Sequence, residues 1–493
     1  MTYHLPNFDI LIIGAGPAGL CAALRLLALG YEVGLVEQAV FPRNQIGESL
    51  SPGVRNIFQY LQAEHLLDDP RYLSGLHANV IWETRDPQWM EAAHHGAGIV
   101  VDRSGLDRAL LELAIERGLQ IWQPAKLEAC QKAGTHWQLK IRFQNDLVQL
   151  TSSVVLDARG RQGIQRKERY QTAPSTVAIW AHVPVKEMPT VTTIEALENG
   201  WLWGSPMPGK RFRAMAFVDP LFVQQSNVKK VFSELIAQSK LFNKITPHLN
   251  LDECQTCSVL NYIHTNPWNE EIIKLGETAF TLDPLSSTGV EKAMRFSLQT
   301  SIAVHTFLKT GNTDLAKTFY ENKIIEAVAT HTIWTKNYYH SAWPASEFIF
   351  WKNRSNYILE KTRNENKIID QLISKTNNFE IPSKKITPKK QHIPTVLNSL
   401  WHQPVALSPQ LTFSNSICVV DDLLKIKTSI LHPNLERETA FLGQHELKPI
   451  LDRINGHDTF GDLLQKWNEQ MVFSDAAKIG VYLWEVGVLV SRS

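Results

Sequence analysis

Near its start the chain places three glycines where a pyrophosphate can be held. Residues 9–19 read DILIIGAGPAG, an apolar run (Ile10–Ile13) that leads straight into Gly14-Ala15-Gly16-Pro17-Ala18-Gly19. An apolar helical stretch, Leu20–Leu29, follows at once. In this spacing Gly14 permits the tight turn, Gly16 lets backbone approach phosphate oxygens, and Gly19 lets helix pack on strand. The helix N-terminus turns its partial positive charge toward the phosphates. A second strand, Glu32–Val36, ends at Glu37, an acid able to hold a ribose diol. Strand, glycine loop, helix, strand and acid in this order predict a dinucleotide-binding unit.

Four further segments narrow the dinucleotide to FAD. Val101-Asp-Arg103 opens a helical stretch, so Arg103 can reach the flavin or its phosphates. Val154–Asp157 is an apolar strand ending in Asp157-Ala-Arg-Gly160, which predicts a turn beside the glycine loop. Leu275-Gly276-Glu277 opens a third piece, and it continues to Leu282-Asp283-Pro284-Leu-Ser-Ser-Thr-Gly289-Val290. There a strand end feeds a glycine turn and a helix, whose N–H groups can meet the flavin edge where reduced flavin is negative. Asp283-Pro284 bends the chain over the ring. Gln38, Arg43, Glu48 and Ser49 complete the expected cofactor contacts.

These segments together resemble the flavin monooxygenases of the aromatic hydroxylase type, and more closely their flavin-dependent halogenase branch. The likeness rests on Gly47-Glu48-Ser49-Leu50-Ser51-Pro52, on Trp201-Leu-Trp203-Gly-Ser-Pro206, and on Ser346-Glu-Phe-Ile-Phe-Trp351-x-x-Arg354. It covers roughly residues 8–355. The first of these resembles the branch's loop beside the FAD. The resemblance implies an α/β fold: a Rossmann-like FAD domain with an inserted β-sheet substrate domain.

One decisive family feature is missing. Flavin halogenases use a lysine downstream of the Gly-Glu loop to receive and deliver hypohalous acid. Here the first lysine is Lys126, and the corresponding stretch reads Leu73-Ser-Gly-Leu-His77-Ala-Asn-Val-Ile-Trp82. His77 stands near the lysine's place. Glu277 also departs from the usual Gly-Asp pair. A nearby branch shares the skeleton without halogenating: its members oxygenate a peptidyl tryptophan during maturation of protein-derived quinone cofactors. The expected activity is therefore hydroxylation of an electron-rich ring, a peptide- or protein-borne tryptophan, through a flavin C4a-hydroperoxide. Glu48 and His77 are the candidates near the chemistry, as hydrogen-bond donor or base. O₂ is the co-substrate, and NAD(P)H or a separate flavin reductase the reductant. Competing readings are halogenation of an indole, phenol or pyrrole, a non-catalytic flavin-binding maturation chaperone, and reduction of an isoprenoid chain.

These residues need a large scaffold, and 493 residues supply it. The expected order is a first FAD-binding segment over 1–165, the inserted sheet over 166–265, and a second FAD-binding segment with helices over 266–350. A helix and Lys-rich linker follow over 351–395, with Ser383-Lys-Lys and Pro388-Lys-Lys. Residues 396–493 regain a globular pattern, with helical stretches at Glu446–Ile454, Phe460–Trp467 and Asp475–Trp484 and a strand at Gly487–Val490. That outline suits a small winged-helix module. Its eight Lys and Arg against eleven Asp and Glu make it a poor nucleic-acid binder, so a polypeptide partner is expected. The whole chain is near neutral at +1 and has no apolar run long enough to span a membrane. Five cysteines do not make a disulfide framework, no metal site is expected, and Cys254-x-x-Cys257 stands alone. The N-terminus enters a core strand without a secretory pattern, so the expected location is the cytoplasm.

Overall fold

The computed structural model describes residues 6–43, 45–92, 98–163, 166–184, 191–209, 211–243, 250–361, 365–377 and 393–492. The Lys-rich stretch around Ser383 and Pro388 lies outside them. Two compact units form. One comprises 1–305 with 317–379, and the other 306–316 with 380–493.

In the first unit, Asn7–Ile13 is the centre of a mixed sheet. Asp146–Asp157 lies parallel on one side and Val33–Val36 parallel on the other, and Ile272–Lys274 and Gln120–Trp122 extend it. Parallel strands buried on both faces need uninterrupted apolar residues, and Ile10–Ile13 are all buried. The helix Pro17–Ala28 starts at Gly16 with proline in its first turn, the position that loses no hydrogen bond to it. His136–Phe143 and Ala125–Ala133 add an antiparallel flap on Asp146–Asp157.

A second sheet has seven strands. Their order is Gln255–Val259, Thr176–Pro184, Arg211–Val218, Gly200–Met207, Val191–Leu197, His77–Ile81 and Gln88–Met90. The last two come from 77–90, ahead of the stretch the sequence marks as inserted. They join by a parallel pairing of His77–Ile81 with Val191–Leu197. One face packs Ile179, Leu202 and Ala214 on the amphipathic helix Val228–Gln238. The other carries Trp201, Trp203 and Phe217 and packs on Tyr339, Phe350 and Trp351. Cys254 belongs to the first of these cores and Cys257 to the second, so the Cys-x-x-Cys pair is split between them. Two long helices, Gly289–Thr310 and Thr313–Ser341, fall within the stretch 266–350 where helices are expected.

The second unit holds helices Leu447–Leu451, Phe460–Asn468 and Phe473–Glu485 around a core of Trp467, Leu464 and Leu483. A two-stranded ribbon, Thr412–Val420 with Leu423–Leu431, precedes them, and Val405–Leu407 pairs with Leu489–Ser491. The tip 306–316 belongs to this unit through Thr306, whose Oγ1 accepts from Leu424 N at 2.9 Å. Among the described residues, no helix is long and apolar enough to cross a membrane.

Candidate functional site

Three segments distant in sequence converge on the start of the Pro17 helix. Gly14 has φ +107°, and a Cβ there would lie 2.6 Å from Ala158 O. A Cβ on Gly19 would lie 2.0 Å from Gly14 O, and one on Gly276 2.9 Å from Ala18 Cβ. Gly16 differs: its nearest neighbour would be Arg43 Nη2, at 3.7 Å. The loop thus presents bare backbone, a helix N-terminus and a guanidinium on an open side, which fits the pyrophosphate of FAD. Glu37 is buried at the end of its strand. Its carboxylate accepts from Ala15 N at 2.6 Å and Ala39 N at 2.7 Å, and pairs with Arg43 at 3.3 Å. Gln38 is exposed beside it.

The Asp157–Gly160 turn lies next to this loop, since Ala158 N donates to Ile13 O at 2.8 Å. Asp157 is fully buried and holds Arg159 through two bonds of 2.9 and 3.0 Å. Gly160 O accepts from Thr278 Oγ1 at 3.1 Å, joining the turn to the Gly276 segment. Glu277 faces outward and pairs with Arg161 at 3.2 Å.

Arg103 is committed within the protein. It donates to both oxygens of buried Asp107 at 2.9 Å and to Ile46 O at 3.0 Å. Its role is to prop the 46–47 loop. That loop meets the first turn of the Gly289 helix: a Cβ on Gly47 would be 3.4 Å from Val290 Cγ2, and the Ser51 hydroxyl donates to Glu291. Ser49 continues into a short pairing with Val100.

Asp283 is buried beside this turn. Its carboxylate accepts from Leu285 N at 3.0 Å, from Tyr339 Oη at 3.2 Å and from Asn261 Nδ2 at 3.3 Å. Burial pushes its carboxyl up from the usual range. Pro284 opens a short 3₁₀ turn that ends at Ser287, at φ +51°. His331 Nε2 bonds Asp283 O at 3.1 Å, and burial, with the Lys292 charge adding, holds its pKa down at about 4. This imidazole is therefore neutral, with Nε2 the donor.

Glu48 is buried, and its counter-charge comes from the second sheet. Arg213 of the Arg211–Val218 strand forms an ion pair with Glu48 Oε1, while His182 Nε2 receives Arg213 Nη2 at 2.8 Å and Nε at 3.2 Å. Burial and then the Arg213 and Arg211 charges hold His182 at about 4, so it is a neutral acceptor.

The structure brings Glu48 to Arg213 and His182, and does not bring it to His77. Side chains alternate faces along a strand. The register aligns His182 and Ser205 with Arg213, on the Trp201–Trp203 face. His77 shares the parity of Glu195 and Leu202, on the opposite face. There it stacks on Trp89 at 5.1 Å, and its Nδ1 lies 2.9 Å from Glu91 Oε2 and 3.2 Å from Ala92 N, able to donate to the first or accept from the second. Arg213 and His182 were not singled out from the sequence. The signal available was the alternation in RFRAMAFV, which puts Arg211 and Arg213 on one side with Met215 and Phe217.

Trp201 stacks on Phe217 at 3.9 Å and is core. Arg354, also buried, donates to Ser175 O and Thr176 Oγ1 at 2.8 Å and fastens the aromatic segment to the sheet.

Known proteins are similar to this chain in sequence and in fold. A family model described as FAD dependent oxidoreductase matches residues 9–162. Tryptophan 2-halogenase of Chondromyces crocatus is 26% identical over 338 residues, covering 63% of this chain and 64% of that protein. The match thus spans less than two thirds of that relative's length. Two solved structures share the fold at a TM-score of 0.72. One is the peptidyl tryptophan dihydroxylase QhpG, described as essential for tryptophylquinone cofactor biogenesis (18% identity, 98% of this chain and 99% of that one). The other is CmlS, a flavin-dependent halogenase (20%, 99% and 97%). The fold is the α/β architecture that these flavin halogenase and hydroxylase structures share, and residues 9–162 carry the similarity to FAD-dependent oxidoreductases.

Proposed function

We propose that this enzyme hydroxylates an electron-rich aromatic ring, a tryptophan carried by a peptide or protein. The observation that carries the reading is the absence of a lysine before Lys126. The His77 that stands near the lysine's place lies on the sheet face away from Glu48. The stretch Leu73–Trp82, where the resemblance would put that lysine, supplies no amine to deliver hypohalous acid. The near-complete overlap with a peptidyl tryptophan dihydroxylase supports the choice of substrate, although the halogenase CmlS overlaps equally well.

FAD, when bound and reduced, supplies activation of O₂ for transfer of one oxygen atom to the ring. The chain's own residues bind and orient. Gly14, Gly16, Gly19 and Arg43 hold the pyrophosphate, and Glu37 accepts from ribose hydroxyls. Asp283, fixed by Tyr339 and Asn261, sets the bend at Pro284, and Gly289 and Val290 offer backbone donors. Glu48, ion-paired to Arg213, serves as an acceptor. Trp203, Met215 and Ile194 belong to the apolar cluster packed on that sheet face, which keeps water from it. NAD(P)H or a separate reductase supplies electrons, and the acidic C-terminal module, read as winged-helix-like, engages the polypeptide that bears the ring.

The test is mass spectrometry. The FAD-loaded enzyme, a flavin reductase, NADH and O₂ are offered free tryptophan and a panel of tryptophan-containing peptides in excess bromide. The expected product is a peptide heavier by oxygen and free of bromine. A brominated product restores the halogenase reading. Peroxide release with no modified substrate across the panel favours the chaperone.

A further inference from the structure

The loop from Ile46 to Pro52 pairs through Ser49 and Leu50 with Val100 and Ile99, and three side chains hold it besides. Arg103 props it through Ile46 O, and Glu291 receives the Ser51 hydroxyl. The third hold is Arg213, and it comes from another sheet. Glu48 and Arg213 are 5% and 6% exposed, so both charges are out of water. The guanidinium is aimed by His182, which takes its Nε and Nη2 donors and leaves Nη1 on Glu48. A neutral histidine suits this task, because a second cation there would compete with the pair.

We infer that Arg213 is a positioning residue of the flavin site: the substrate-side sheet clamps the Gly47–Glu48 loop onto the first turn of the Gly289 helix. The clamp makes the cofactor surface depend on docking of the sheet. It rests on the reading that this loop borders FAD. Lysine cannot replace the arginine, since one ammonium cannot serve His182 and Glu48 in the same fixed fork.

Removing one partner of a buried pair leaves the other charge uncompensated, whereas removing both can be neutral for stability. That asymmetry makes the inference testable on the full chain. Arg213→Met, Arg213→Lys and Glu48→Gln are compared with the double variant E48Q/R213M, and Gly16→Val serves as the FAD-binding control. The readouts are FAD affinity by flavin fluorescence, the midpoint potential of bound FAD, and the melting temperature of the apoprotein.

The expected result is FAD binding weaker by about tenfold or more in R213M, R213K and the double variant, a cost of about 1.4 kcal/mol or more. The midpoint potential shifts in the same variants. The double variant binds FAD no more weakly than R213M, and its apoprotein melts close to wild type. If E48Q/R213M binds FAD as wild type does, with an unshifted potential, the clamp is structural only and the inference fails. It fails also if the two single losses simply add. Where R213M does not fold, the double variant alone decides. Retained FAD in Gly16→Val would overturn the cofactor assignment instead, a different failure.

Discussion

The two faces of the seven-stranded sheet each hold a buried carboxylate and a histidine, and they use them differently. On the helix-backed face, Glu195 accepts from the Ser239 hydroxyl and from Lys240 and Leu241 N–H at 2.9 and 3.0 Å. It closes the turn after the Val228 helix. On the other face, Arg213, held by His182, pairs with Glu48, a residue of a distant loop. Burial of an acid is thus no sign of function. What distinguishes the two is where the partners lie: Glu195 satisfies a helix end backing its own sheet, whereas Arg213 reaches off its sheet to the Gly47–Glu48 loop.

Retention of FAD is the readout that separates the faces, so it must first be calibrated. Gly16→Val should give the largest effect. A Cβ at this position meets no backbone, so the protein should fold, yet the branched side chain occupies the phosphate side of the loop. Loss of two charge-assisted bonds at about 1.5–3 kcal/mol each predicts FAD binding weaker by at least about 100-fold. Flavin absorbance after gel filtration checks this. A yellow Gly16→Val protein would mean that the cofactor lies elsewhere.

The next effect is one of stability. Glu195→Ala leaves Lys240 N–H and the Ser239 hydroxyl without acceptors, while Leu241 N–H keeps Ser239 Oγ at 3.1 Å; at about 1–3 kcal/mol for each orphaned donor, unfolding free energy should fall by about 2–4 kcal/mol. FAD affinity should stay within about twofold of wild type, because nothing that Glu195 touches reaches the 46–52 loop. Urea unfolding and a flavin titration of the same preparation test both halves. If FAD is lost while the protein stays folded, the two faces are coupled and the contrast collapses.

The contrast also separates what was legible in the sequence from what was not. The glycine loop could be read because its requirements are local: Gly14 needs a positive φ, and Gly19 must clear Gly14 O. The three C-terminal helices could be read from apolar spacing. Glu48 could be picked out by resemblance, but its partner could not, since Arg213 meets it, and His182 meets Arg213, only once the strands take their register. The same limit explains His77. A strand's period of two makes one residue decide the face, and Ala78 and Val80 face the aromatic side where His77 does not. The Thr412–Leu431 ribbon turns at Asp421 and Asp422, both at positive φ, a conformation that acidic residues tolerate without announcing it by glycine.

The smallest expected effect belongs to His77→Ala, and it bears most directly on the comparison. The imidazole is half-buried, stacked on exposed Trp89 and paired with exposed Glu91. Such a surface pair contributes about 0–1 kcal/mol. Its side chain points to the helix-backed face, so its loss should leave FAD affinity and the oxygenated-product yield within about twofold of wild type. The yield is measured on whichever peptide of the panel the wild type modifies, beside the Arg213→Lys protein. If His77→Ala abolishes product while FAD binding persists, a group on the far face takes part in the chemistry. The active surface would then wrap around the sheet edge at Gln88–Met90, and the separation of faces argued from register would be wrong.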